Sequence, residues 1–220
     1  MRIGGFQSFS LSDYPGMTAA IVFTQGCNFR CPFCHNGALI PACGEGSASI
    51  PEMTVLRHLH ERRGLLDGVV VTGGEPTLQP DLPRFLRRIR EMGYAVKLDT
   101  NGSRPGVLRR LLAENLVDYI AMDIKAPMAC YDRLTGVAAP VRAIRGSIRL
   151  IARSGISHEF RTTVVKPLLS ESDILAIAEM VPSGSPHTLQ DFNPEHAYDP
   201  ALRTFVPTPD REDSLDSKTA

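Results

Sequence analysis

The sequence predicts an α/β fold built on a mainly parallel sheet. Six short apolar runs, rich in β-branched residues, alternate with amphipathic stretches long enough for about three helical turns each. Strands that alternate with helices form parallel sheets. Six units are too few for a closed eight-stranded barrel, so the sheet is either an open three-quarter barrel or doubly wound. Both arrangements place ligands at the carboxyl ends of the strands.

Each element is predicted from its own pattern. The apolar runs predict six buried strands, at residues 20–24, 69–72, 95–99, 119–124, 160–165 and 188–192. The amphipathic stretches predict helices at residues 53–63, 82–92, 107–115, 141–154 and 172–180. Pro51 and Glu52 mark the start of the first helix, and Ser172 with Asp173 marks the start of the last.

The chain of 220 residues is long enough for one sizeable core, and no shift in composition demands a second domain. We therefore predict a single domain over residues 1–206. Residues 207–220 are polar and charged with almost no apolar side chains. Such a segment cannot bury enough apolar surface to fold, so we predict a disordered tail.

The charge of the chain is balanced, with 24 Lys and Arg residues against 24 Asp and Glu residues. This balance argues against nucleic acid or an acidic membrane surface as a partner and favours a small molecule or a protein. The amino-terminal residues lack the apolar stretch of a signal peptide, and no later run is long enough to span a bilayer. We therefore expect a cytoplasmic protein, in a compartment that keeps thiols reduced.

Three cysteines with the spacing C-x-x-x-C-x-x-C follow the first predicted strand, at Cys27, Cys31 and Cys34. Iron–sulfur clusters are usually held by four cysteine thiolates. A compact trio with no fourth cysteine nearby therefore suggests a cubane whose last iron is open to another ligand.

Other uses of cysteine fit less well. A structural zinc site needs a second cysteine pair, and His35 directly follows Cys34, which makes coordination of one ion by both awkward. A disulfide framework is disfavoured because the chain is long and its cysteine count, five, is odd. Cys43 and Cys130 have no partner at cluster spacing, so we interpret them as ordinary residues.

Polar clusters follow the next three strands. Adjacent glycines let a backbone approach a ligand closely, and a glutamate after them can accept from an ammonium group. Aspartate, asparagine and glycine after a strand form either a ligand site or a turn, and an Asp and a Lys two residues apart bind a ligand or pair with each other. These clusters are Thr72-Gly73-Gly74-Glu75-Pro76, Asp99-Thr100-Asn101-Gly102 and Asp123-Ile124-Lys125. Arg161, on the fifth predicted strand, needs a partner because a buried strand rarely carries an unpaired arginine.

The cysteine loop followed by a Gly-Gly-Glu-Pro turn resembles the radical S-adenosylmethionine superfamily. The run Ser12-Asp13-Tyr14-Pro15-Gly16, shortly before the segment 23–31, resembles the opening of glycyl-radical-enzyme activases, most of all those of anaerobic ribonucleoside-triphosphate reductase. The similarity extends over residues 3–194. It implies an open barrel of six βα units.

The resemblance also implies the cofactors and their contacts. A [4Fe-4S] cluster would be bound by Cys27, Cys31 and Cys34, and S-adenosylmethionine would chelate the fourth iron through its amino nitrogen and carboxylate. The implied cofactor contacts are Phe33 near adenine, Gly73, Gly74 and Glu75 at the methionine amino end, and Asp99, Thr100, Asn101, Asp123, Lys125 and Arg161 near ribose, sulfonium or carboxylate.

The implied chemistry is reductive cleavage of S-adenosylmethionine to a 5′-deoxyadenosyl radical, which removes hydrogen from a glycine Cα in a partner enzyme. The implied partners are anaerobic ribonucleotide reductase as target and a low-potential flavodoxin or ferredoxin as reductant. Tyr14 stands where the pyruvate formate-lyase type usually has glycine, which favours the reductase type. The alternatives are an activase of another glycyl radical enzyme, a small-molecule radical enzyme and, more remotely, an iron–sulfur electron-transfer module.

Overall fold

The computed structural model describes residues 1–41 and 49–204, and within them the chain forms one seven-stranded sheet flanked by helices. The strands are β1 (Ile3–Tyr14), β2 (Met17–Thr24), β3 (Gly68–Gly73), β4 (Ala95–Thr100), β5 (Tyr119–Asp123), β6 (Ser157–Val164) and β7 (His187–Asp191). The helices are α1 (Glu52–Glu61), α2 (Leu82–Glu91), α3 (Pro105–Ala113), α4 (Tyr131–Thr135), α5 (Val141–Ala152), α6 (Glu171–Ala178) and α7 (Pro200–Arg203). Cys43 and the predicted tail at 207–220 lie outside the described residues.

The strands lie side by side in sequence order, from β1 at one edge to β7 at the other. Strands β2 to β7 are parallel, and β1 pairs with β2 in the antiparallel direction. The two edge strands do not pair with each other, so the sheet is open. The predicted fold class, an open α/β partial barrel with six parallel strands, is confirmed.

The sequence analysis missed β1, because its residues do not alternate cleanly between apolar and polar. The strand contains two adjacent glycines and exposes Phe9 and Leu11, and its pairing with β2 has three register shifts. Pro15 and Gly16, the latter at φ 72°, make the tight turn into β2.

Two other predictions about elements were wrong in detail. The last strand was predicted to be buried, but β7 is an edge strand of mostly polar residues and exposes four of its five side chains. The last predicted helix begins earlier, because Ser170 and not Ser172 is its N-cap. The Ser170 hydroxyl accepts from the backbone N–H of Asp173, and the Asp173 carboxylate accepts from the backbone N–H of Ser170.

The inside of the barrel is filled at the amino ends of the strands. Tyr14 packs edge-on against Tyr119, with ring centroids 6.0 Å apart, and joins a small cluster with Ile21 and Val70. A Cβ on Gly68 would lie 2.9 Å from the Tyr14 ring, so the packing there is tight. The carboxyl end of the barrel is left for the cavity described below. Among the described residues, no helix combines the length and apolar character needed to cross a bilayer.

Candidate active site

A cavity of about 380 Å³ lies at the carboxyl ends of the parallel strands. Every residue that the sequence analysis assigned to a site lines it, although the residues come from the loop after β2 and the ends of four further strands. These residues are Cys27, Cys31, Phe33, Cys34, Gly73, Gly74, Glu75, Asp99, Thr100, Asn101, Asp123, Lys125 and Arg161. Their proximity is a result of the fold, whereas their contacts with cofactors remain predictions.

Backbone hydrogen bonds hold the start of the cysteine loop in place. The N–H of Gly26 donates to the carbonyl of Leu39 at 2.8 Å, and the N–H of Cys27 donates to the carbonyl of Ile40 at 3.0 Å. The N–H of Phe29 donates to Cys27 Sγ at 3.4 Å. Hydrogen bonds to cysteine sulfur are one of the ways in which a protein tunes the potential of a cluster. The loop is therefore ordered through its own backbone.

The three thiols lie in a partly apolar setting. Burial raises the pKa of Cys27 and Cys34, and it raises the pKa of Cys31, which is 5% exposed, to about 12. The ammonium of Lys125 acts in the opposite direction on all three. As free thiols these groups hold their protons, so a metal must displace protons to bind them.

This donor set fits an iron–sulfur cubane better than a single metal ion. Within residues 1–41 and 49–204, no three His, Cys, Asp or Glu side chains converge on a point where one ion could bind. A cubane offers each cysteine a separate iron, so its ligands need not converge. The soft sulfur ligands of Cys27, Cys31 and Cys34 match iron–sulfur chemistry.

Gly73 and Gly74 are required by the packing of the protein itself. Gly73 has φ 112°, and a Cβ there would lie 2.3 Å from the backbone nitrogen of Thr24. A Cβ on Gly74 would lie 2.2 Å from the carbonyl oxygen of Gly26. The sequence analysis attributed these glycines to close approach of a ligand, but the structure shows that the cysteine loop already needs them.

Glu75 is fully buried and its carboxylate accepts four hydrogen bonds from the protein. Oε1 accepts from the N–H and hydroxyl of Thr77 and from the hydroxyl of Thr100 at 2.8 Å, and Oε2 accepts from the N–H of Asn101 at 2.7 Å. Burial raises the pKa of Glu75, and these donors oppose that effect. The side chain thus joins the ends of β3 and β4, and its Oε2 retains capacity for one further donor.

Replacing Glu75 with glutamine is expected to lower the free energy of unfolding by about 2 kcal/mol, because the new amide group faces N–H and O–H donors. Denaturant unfolding of the protein without cofactors measures the change. The matched control is Glu61→Gln at an exposed position of α1, which should change stability by less than about 0.5 kcal/mol. Equal stability of the two variants would refute this structural role.

A row of alternating charges crosses the ends of β4, β5 and β6. Lys97 contacts Asp99 at 2.6 Å, and Arg161 contacts Asp99 at 3.3 Å and Asp123 at 3.0 Å. Lys125 contacts Asp123 at 3.3 Å, so the ion pair considered for these two residues exists, and both also line the cavity. Of the three cations, Lys125 and Arg161 line the cavity, together with the carboxylates of Asp13, Glu75, Asp99 and Asp123, so the lining carries no excess of positive charge.

Arg161 has the central place in this row. Burial alone would raise the pKa of Asp123, but Arg161 and Lys125 hold it at about 2. Because this pKa lies below the value of about 3.9 for an unfolded aspartate, the ionised Asp123 stabilises the fold above about pH 4. That contribution is lost as the pH falls through the folded pKa.

Replacing Arg161 with glutamine is expected to destabilise the fold by about 3 kcal/mol at neutral pH, because it leaves two partly buried carboxylates with fewer cations. The difference from the wild type should shrink as the pH falls from about 4 toward 2. Denaturant unfolding at several pH values tests both statements. Arg110→Gln, which removes an exposed partner of Glu114, is the control and should cost less than about 1 kcal/mol.

Several lining residues were not predicted as site residues. Asp13 belongs to a motif that the sequence analysis used for the resemblance, so its position could have indicated a site role. His35 was weighed only as a zinc ligand and Thr72 only as part of the glycine cluster, and the remaining residues were assigned no role of their own. These residues are Asp13, Phe23, Phe29, His35, Asn36, Ile40, Thr72, Thr163 and Gln190.

Asn28, beside Cys27, ties the cysteine loop to the end of β4. Its Oδ1 accepts from the Asn101 side chain at 3.0 Å, and its Nδ2 donates to the Ser103 hydroxyl at 3.1 Å. The predicted turn residues after β4 therefore position the loop as well as line the cavity.

Comparison with known proteins identifies the family. The Radical SAM superfamily matches residues 21–181 of this chain. A protein of Methanocaldococcus jannaschii, described as a candidate glycyl-radical enzyme activating enzyme, is 34% identical over 90% of this chain and 82% of its own length. The pyruvate formate-lyase-activating enzyme of Clostridium pasteurianum is 29% identical over 82% of this chain and 76% of its own length.

Solved structures share the fold. Streptococcus suis SuiB bound to S-adenosylmethionine superposes with a TM-score of 0.61 at 17% identity, over 77% of this chain and 39% of SuiB. The enzyme anSMEcpe with bound AdoMet superposes with a TM-score of 0.59 at 14% identity, over 77% of this chain and 49% of its own. This chain thus spans less than half of either. The chain belongs to the radical SAM superfamily, whose members use a [4Fe-4S] cluster and S-adenosylmethionine, and within it to the glycyl-radical enzyme activating enzymes.

Proposed function

We propose that this protein generates a glycyl radical on an anaerobic ribonucleoside-triphosphate reductase. The observation that carries the proposal is the convergence of the three cysteines and the polar ends of β3 to β6 on one cavity. When bound there, the [4Fe-4S] cluster and S-adenosylmethionine supply reductive cleavage of the sulfonium and hydrogen abstraction from a glycine Cα. The protein supplies binding, orientation and charge.

The side chains have distinct tasks in this proposal. Cys27, Cys31 and Cys34 would hold the cluster through their three thiolates. Lys125 and Arg161 are the two Lys/Arg side chains of the cavity lining, and they would contact the carboxylate of S-adenosylmethionine. The ammonium nitrogen of Lys125 lies 5.8 Å from the centroid of the Phe33 ring. This ring offers an apolar surface for the adenine.

A protein substrate must reach this cavity with a peptide segment. The sheet does not close between β1 and β7, so the barrel has an open side. Tyr14 and Tyr119 fill its amino end, which leaves the carboxyl end for the target glycine. Tyr14 packs at this amino end and is not among the residues that line the cavity. Its value for distinguishing targets therefore comes from the sequence resemblance and not from a contact.

A pyruvate formate-lyase type of target is the second candidate. Two observations favour it: the relatives from Clostridium pasteurianum and Escherichia coli are pyruvate formate-lyase-activating enzymes, and the first is similar over 82% of this chain. In either case the reductant proposed is a low-potential flavodoxin or ferredoxin, and the reducing cytoplasm is the fitting location because it preserves the thiols.

Electron paramagnetic resonance distinguishes the two targets. The reconstituted protein is incubated anaerobically with dithionite, S-adenosylmethionine and either an anaerobic ribonucleotide reductase or a pyruvate formate-lyase. We expect a glycyl radical signal on the reductase, and none when the reductase glycine is replaced by alanine. A glycyl radical signal on the formate-lyase alone would reject the reductase as the target and support the second candidate. Cleavage of S-adenosylmethionine without a radical on either protein would reject both targets.

A further inference from the structure

The proposed function consumes electrons, and residues 1–41 and 49–204 hold no second cluster motif that would store them. Within the described residues, Cys130 is the one cysteine besides the cluster trio, and Cys43 is the fifth cysteine of the sequence. Neither forms a second cluster motif. An external one-electron donor must therefore bind close to the cysteine loop, and the surface near that loop should carry a docking site.

Helix α5 presents a stripe of arginines to solvent. Arg142, Arg145, Arg149 and Arg153 are spaced by three, four and four residues, which puts them on one face of the helix. All four are exposed, and they lie opposite the buried residues of α5. The helix contains no aspartate or glutamate.

These arginines have no partner in the part of the chain that the structure describes. None of them forms an ion pair there, whereas Arg87 and Arg90 of α2 pair with Glu114 and Asp118 at 2.6 and 2.5 Å. Glu179 shares a surface groove with Arg145 and Arg149 but does not form an ion pair with either. Like charges at this spacing destabilise a helix slightly, and only Arg149 and Arg153 at the carboxyl end gain from the helix dipole, so Arg142 and Arg145 do not serve the stability of α5.

The stripe leads to the outer wall of the cysteine loop. At the amino end of α5, Pro140 lines an open groove together with Arg104, Ser103 and Asn28. Asn28 adjoins Cys27 and contacts this groove instead of the active-site cavity. A protein bound over the groove would therefore lie beside a cluster ligand and leave the cavity free for the substrate.

We propose that Arg104, Arg142, Arg145, Arg149 and Arg153 form an arginine face that docks a small acidic electron-carrier protein. The inference rests on the proposed function and names the docking site of its reductant. In the docked complex the carrier loses one electron and the oxidised [4Fe-4S] cluster gains it, with no bond made or broken. Complementary charge steers such encounters, and arginine is enriched at protein interfaces. Nucleic acid would also be attracted to this face, and the target enzyme also binds near the loop, but a face that ends beside a cluster ligand and outside the cavity favours an electron carrier.

The test compares two charge-reversal variants of the reconstituted holoenzyme. The test variant is Arg142→Glu with Arg145→Glu, and the control is Arg57→Glu with Arg62→Glu at exposed positions on and directly after α1. The probe is a ferredoxin of net negative charge. Calorimetry measures the affinity for oxidised ferredoxin without turnover, and stopped-flow absorbance measures cluster reduction by reduced ferredoxin and by dithionite.

We expect the test variant to bind ferredoxin about tenfold or more weakly and to be reduced correspondingly slowly by it. Reduction by dithionite should be unchanged, and the control variant should differ from the wild type by less than about twofold. Unchanged ferredoxin affinity, or an equal loss in the control, would overturn the proposal. Binding of transfer RNA is measured in parallel, and its loss in the test variant with unchanged ferredoxin affinity would assign the face to nucleic acid and overturn the proposal. Failure of the wild type to cleave S-adenosylmethionine with dithionite would instead reject the proposed function. The affinity for oxidised ferredoxin would still test the docking site, because calorimetry needs no turnover.

Discussion

Replacing Cys31 with alanine is expected to abolish cluster assembly and S-adenosylmethionine cleavage. Cys31 is the most buried of the three cysteines, and the chain offers no other cysteine at cluster spacing. Without Cys31 one iron of the cubane would have no thiolate ligand. Because the cofactors carry the chemistry, loss of the cluster also removes the activity. We expect iron content near zero and formation of 5′-deoxyadenosine lowered more than about a thousandfold, equivalent to about 4 kcal/mol of activation free energy.

Cys130→Ala is the matched control for this loss. Cys130 lies in a short 3₁₀ helix after β5 and is partly buried, like Cys27 and Cys34, but it does not line the cavity. This variant should assemble the cluster and cleave S-adenosylmethionine at nearly the wild-type rate. Iron analysis and quantification of 5′-deoxyadenosine under dithionite measure both proteins. If Cys31→Ala retained cofactor cleavage, the assignment of the cluster site would be wrong.

Replacing Gly74 with alanine is expected to disrupt the cysteine loop, although the added group is a single methyl. The new Cβ would lie 2.2 Å from the Gly26 carbonyl oxygen and 3.0 Å from the Leu39 carbonyl oxygen. Both carbonyls belong to backbone, which cannot yield as the end of a side chain can. We expect a loss of about 3 kcal/mol in the free energy of unfolding and much weaker cluster retention.

Gly106→Ala provides the opposite expectation for the same chemical change. Gly106 lies in α3, and a Cβ there would meet no atom within 4 Å. Alanine is the better helix former, so this variant should be more stable by about 0.5 to 1 kcal/mol. Denaturant unfolding and iron content after reconstitution compare the two. A Gly74→Ala protein as stable as the wild type would contradict the close approach of β3 to the loop.

Strands β2, β3 and β5 could be predicted because each contains a run of buried apolar side chains, as buried parallel strands require, whereas β4, β6 and β7 mix apolar with polar residues. β1 could not, since an antiparallel edge strand with one exposed face and register shifts has no such run. The wrong burial of β7 has another origin. The strand contains one apolar residue, Leu189, which is 52% exposed, so burial was predicted from too little apolar sequence.

The location of the site was predictable because polar residues at the ends of parallel strands must meet at one edge of the sheet. The tasks of individual residues were less accessible. Nothing local to Glu75 predicts that Asn101 and Thr100, from the next strand end, donate to its carboxylate. In the same way, the obstacle to a side chain at Gly74 is a carbonyl 48 residues earlier in the chain, at Gly26.

The central claim is that the three-cysteine cluster presents an open iron to S-adenosylmethionine in this cavity. Electron–nuclear double resonance of the reduced cluster, with S-adenosylmethionine labelled with ¹⁵N at the amino group and ¹⁷O at the carboxylate, tests it most directly. We predict hyperfine coupling of both labels to the cluster. A reduced cluster that binds S-adenosylmethionine without coupling to either label would contradict the claim.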